Sequence, residues 1–150
     1  MLTFSFGQSE RERIEVNVLD YECKPVGDYW DDNWLNVEIR VHAGGFRGKI
    51  AATIITSELE KFLSELKPLY EKLVGEAKFT TMEEQLGLRL SGDGKGHIEL
   101  RGEVADQAGI GNRLFFNLRF DQTQLRQSIN DLELIVETFP IRSIPENSKH

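Results

Sequence analysis

The chain has 150 residues, a formal net charge of −7, 39% hydrophobic and 29% charged residues, and a single cysteine. That length suits one domain, and the composition excludes wholesale disorder. The acidic balance disfavours nucleic-acid binding, and no Lys/Arg cluster with interleaved aromatics is visible along the chain.

The opening Met1-Leu-Thr-Phe-Ser-Phe-Gly has neither a basic region nor a continuous apolar stretch, and no apolar run reaches membrane-spanning length. With Cys23 as the lone cysteine, no internal disulfide can form, which agrees with a reducing compartment. The expectation is a cytoplasmic protein with no membrane partner.

Leu2, Phe4 and Phe6, then Ile14, Val16 and Val18, read as two strands. Leu35, Val37, Ile39 and Val41 alternate with polar residues, the Ala43-Gly-Gly-Phe turn follows, and Ile50, Ala52 and Ile54 return as a further strand. A helix is expected from about Ser57 to Val74, with Ser57 as its cap, Glu60 reaching back to it, and Gly75 as a left-handed stop. Its stripe is Leu59, Phe62, Leu63, Leu66, Leu69, Tyr70 and Leu73, interrupted by Pro68, which predicts a kink or local widening.

The pattern then recurs. Ala77 and Phe79, Leu86 to Leu90, Ile98 to Val104 and Leu114 to Phe120 predict four more strands, and Asp121 caps a second helix from Gln122 to Phe139. Leu59, Leu63, Leu66, Leu69, Tyr70 and Leu73 match Leu125, Ile129, Leu132, Ile135, Val136 and Phe139 at a constant spacing of 66. The fold class is therefore α+β, an antiparallel sheet from two ββββα-like repeats with two amphipathic helices packed on one face. Residues 1–141 are expected to form a single domain with internal duplication, about 1–75 and 76–140, and 142–150 a flexible tail. Convergence on the same burial rules is the alternative to duplication.

The repeats differ between their second and third strands. The second has the short Ser91-Gly-Asp-Gly-Lys-Gly, a tight hairpin connection. The first has an insertion from Cys23 to Trp34 that holds both tryptophans. Asp28, Tyr29, Trp30, Asp31, Asp32 and Trp34 are the candidate partner-binding residues, because aromatic side chains anchor interfaces and carboxylates attract a basic partner. Closure of the core end by Trp30 and Trp34 is the competing reading.

Three aspartates raise the question of a cation, but their spacing does not match a calcium loop. With His42 and His97 apart and one cysteine, no structural zinc site is expected, and no cofactor or catalytic residue is assigned. Glu38, Arg40, Glu99, Arg101, Glu103, Arg113 and Arg119 read as ion pairs on a solvated sheet face.

Gly27-Asp-Tyr-Trp-Asp-Asp-Asn-Trp-Leu-Asn-Val-Glu, the Ala43-Gly-Gly-Phe turn, Glu84-Gln-Leu, Ser91-Gly-Asp-Gly-Lys-Gly-His-Ile and Gly111-Asn-Arg-Leu together resemble the WapI-type bacterial immunity protein family, over about Tyr21 to Pro140. The resemblance implies a non-enzymatic cytoplasmic antitoxin that binds the toxic C-terminal domain of a polymorphic cell-surface toxin, in some systems a nuclease. A basic toxin domain would suit the acidic charge. A small-ligand-binding or structural domain, and a small metal-dependent hydrolase using Asp28, Asp31, Asp32 and a histidine, are the alternatives.

Overall fold

The computed structural model describes residues 2–143. The alternating segments form β1 (Leu2–Ser9), β2 (Glu12–Tyr21), β3 (Trp34–Ala43) and β4 (Phe46–Ile55), with a one-turn helix α1 (Tyr29–Asp32) between β2 and β3. Helix α2 (Thr56–Lys72) leads into β5 (Val74–Thr80), β6 (Leu86–Asp93), β7 (His97–Ala105) and β8 (Arg113–Asp121), and α3 (Gln122–Thr138) ends the second unit. Each unit is thus four strands followed by a 17-residue helix, and the two helices begin and end at the spacing of 66 seen in their stripes. Among the described residues, no helix is long and apolar enough to cross a membrane.

The strands do not join into one sheet. They form two four-stranded antiparallel sheets, each ordered as in sequence. At the outer edges of β1 and β5 a helix takes the place of a neighbouring strand. Ser128 on α3 donates its hydroxyl to the carbonyl of Ser5 on β1. Glu65 on α2 accepts the amide of Lys78 on β5 at 3.2 Å. Each helix therefore covers the first strand of the other unit and blocks further pairing there.

Inward faces of both sheets and both helical stripes meet in one apolar cluster. Leu59, Phe62, Leu63, Leu66 and Leu69 of α2 are buried, as are Leu125, Ser128, Ile129, Leu132 and Ile135 of α3, again position for position. The single change of character, Phe62 against Ser128, is the serine that ties α3 to β1. Phe6 joins the units at the centre, with its ring 5.8 Å from both Phe62 and Phe120.

Helix ends follow hydrogen-bond supply. Asp121 caps α3 as expected, accepting from Thr123 and Gln124 amides at 2.9 and 3.1 Å, while Gln124 accepts from the Asp121 amide. At α2 the expected Ser57–Glu60 box gives way to Glu58, which accepts from the Ile55 amide and, across to the β5–β6 connection, from the Met82 amide, both at 2.7 Å. Burial raises the Glu58 carboxyl, and those two amides oppose the shift. Helix α2 continues past Pro68 to Lys72. Its left-handed stop is Leu73 (φ 58), not Gly75, because the Leu73 carbonyl accepts the Gly94 amide at 2.7 Å from the β6–β7 turn.

That turn is organised by Asp93, which accepts from the Lys95 and His97 amides and meets His97 Nδ1 at 2.7 Å. The Lys95 amide, then the His97 side chain, hold its carboxyl down at about 2, from 3.8. A depressed folded value means that this carboxylate's stabilisation is complete above 3.8 and is lost as pH falls towards 2. Asp93→Asn should therefore flatten the acid limb of a thermal-midpoint against pH profile; an unchanged limb would show that other carboxylates set it.

Candidate functional site

The twelve residues from Glu22 to Asn33 connect β2 to β3, closed at the base by the Glu22 amide bonded to the Trp34 carbonyl at 2.8 Å. Gly27 (φ 85) turns the chain into α1. Asp28 caps that turn, its Oδ1 accepting from the Trp30 and Asp31 amides at 2.9 and 3.0 Å. Asp28 and Asp31 are exposed, and Tyr29 and Trp34 half-buried. Trp30 is 56% exposed, with Tyr29 edge-on to it at 5.1 Å.

Asp32 is the exception among the candidates. It is fully buried, so it is not available to attract a partner. Its two oxygens accept from the Val26 amide at 2.7 Å, the Gly27 amide at 2.9 Å and the Ser143 hydroxyl at 2.5 Å. The Ser143 and Val26 bonds lower its carboxyl below the ordinary value, and burial opposes them. A carboxylate is used here because it can accept several backbone donors at once.

Asn33 is the second hub. Its amide nitrogen donates to the Tyr29 and Arg142 carbonyls, and its oxygen accepts from the Thr56 hydroxyl and the Arg142 amide. Arg142 in turn donates Nε and Nη2 to the Asp32 carbonyl and Nη2 to the Cys23 carbonyl, with its guanidinium 3.5 Å over the Tyr21 ring. Cys23 is an exposed free thiol, with Sγ donating to the Asp31 carbonyl at 3.0 Å.

Residues 142–150 are thus not all tail. Arg142 and Ser143 bind the loop because its turned backbone leaves carbonyls and a carboxylate that no strand satisfies; 144–150 lie outside the described residues. The latch residues Asn33, Arg142 and Ser143 gave no sequence signal, since the contacts span 109 to 111 positions. Glu22 and Glu83 were also missed; they share a shallow groove with Cys23, Val26, Asp31 and Trp34.

The arrangement presents exposed apolar area from Trp30 and Val26, the latter 69% exposed, beside the carboxylates of Asp28 and Asp31. Among the described residues, no three His, Cys, Asp or Glu side chains stand together as a metal-ligand set.

No curated protein matches the chain in sequence. Among solved structures, a chain of "Crystal structures of trypanosoma bruciei MRP1/MRP2" is similar in fold, with a TM-score of 0.50 at 8% identity, covering 91% of this chain and 84% of that chain. A model of the Immunity protein WapI-like family matches residues 4–140, nearly the whole length described, and the chain belongs to that family.

Proposed function

We propose that this protein is a non-enzymatic immunity protein that neutralises a basic toxin domain, such as a nuclease, in the cytoplasm by binding it through the β2–β3 loop. Family membership supports the immunity role and a toxin partner. The observation that carries the site is Trp30, exposed on a loop whose backbone is latched by Asp32, Asn33 and Arg142. A pre-ordered aromatic loses little conformational freedom on binding. Asp28 and Asp31 supply attraction to a basic surface, and Asp32 supports the loop from within. We also read the two ββββα units as one duplicated domain, on the matched helix spacing and the shared core.

Trp30→Ala should weaken binding of the cognate toxin domain by about 2 kcal/mol or more with little loss of folding stability. Asp28→Asn with Asp31→Asn keeps the helix cap and should lower mainly the association rate, by less at high salt. Calorimetric titration and stopped-flow binding, with urea melts of each variant, test both. A Trp30→Ala variant that unfolds, while its folded fraction binds at parental affinity, would make the loop a core closure instead.

A further inference from the structure

We propose that the outer face of the first sheet, at the end opposite the β2–β3 loop, carries a binding site for a phosphate group. Strand register assembles it from positions that are scattered in sequence. Arg13, His42 and Arg47 lie in one cross-strand row, and Glu15, Arg40 and Lys49 in the next. Arg13, Arg40, Arg47 and Lys49 line a shallow basin there, against only Glu10 and Glu15 as lining carboxylates. The basin is locally cationic within a chain of net charge −7.

Burial of the apolar face does not require this arrangement, because like charges directly opposed across strands destabilise a sheet. Neighbouring carboxylates satisfy part of it. Glu38 holds Arg40 Nε at 2.8 Å and Lys49 at 3.6 Å, and Glu15 holds Arg13 Nη2 at 3.2 Å. Arg47 has no ion pair among the described residues, and the buried Nε of Arg13 has no hydrogen-bond partner. With Glu38 counted beside Glu10 and Glu15, the basin keeps one positive charge in excess, and its unpaired Arg47 guanidinium calls for an oxyanion. Guanidinium forks match phosphate oxygens in geometry. No Phe, Tyr or Trp lines the basin, so it has no stacking platform for a base, and the phosphate group itself is the recognised unit.

The test is titration of the nitrogen-15-labelled chain with inorganic pyrophosphate at constant ionic strength, reading the Arg13 Nε–Hε resonance and the thermal midpoint. The expected result is a saturable resonance shift and a raised midpoint, with affinity about tenfold weaker in an Arg47→Gln, Lys49→Gln variant. Arg119→Gln, on the second sheet, should leave affinity unchanged. A response that chloride reproduces, one that the double variant keeps in full, one that Arg119→Gln weakens equally, or no response at all overturns the proposal.

Discussion

Phe6→Ala should lower folding stability by about 3–5 kcal/mol, enough to consume much of a domain's margin. Phe6 is 1% exposed, and its ring contacts Phe4 within its own strand, Phe62 on α2 and Phe120 on β8. Truncation therefore leaves a void bounded by both units and a helix, which rigid strand pairing prevents from collapsing. A urea titration read at once by far-ultraviolet dichroism and tryptophan fluorescence checks it. A loss under about 1 kcal/mol would mean that the aromatic cluster repacks.

Gly7→Ala should cost about 3 kcal/mol or more, although it adds only a methyl group. Gly7 has φ 140, where side chains strain the backbone, and sits at the β-bulge that shifts the β1–β2 register. A Cβ there would stand 2.0 Å from the Glu12 carbonyl oxygen and 2.7 Å from the Arg13 Cα, both main-chain atoms that cannot swing aside. The bulge or the register must yield. Gly45→Ala, which meets nothing within 4 Å, is the matched control and should melt like the parent.

Strands and helical stripes were legible in the sequence because burial imposes its period directly on residue choice. Leu59 to Leu69 and Leu125 to Ile135 needed no tertiary information to be found. What escaped was whatever depended on distant partners. A leucine takes the left-handed stop of α2 because the β6–β7 turn bonds its carbonyl, and no local propensity favours that. The covering of each unit's first strand by the other unit's helix depends on contacts such as Ser128 to Ser5, 123 positions apart. In the loop, Trp30 and Asp28 behave as their residue types suggest, but Asp32 looked like its acidic neighbours until Ser143 and the Val26 and Gly27 amides turned it inward. The basic basin was hidden for the same reason, since Arg13, Arg40, Arg47 and Lys49 become neighbours only through strand register.

The exchange of helices between units also sets the order in which the chain can finish folding. During synthesis β1, with Phe4 and Phe6 on its inward face, emerges well before its cover α3, the last of the described elements. The Ser5 carbonyl waits for a serine 123 positions later. Helix α2, in turn, has no edge to cover until β5 follows it. A nascent first half therefore carries an unprotected strand edge throughout translation of the second, and closure of that edge is a late, long-range event. Truncation anywhere before α3 leaves β1 open, so incomplete chains should be the aggregation-prone species of this protein.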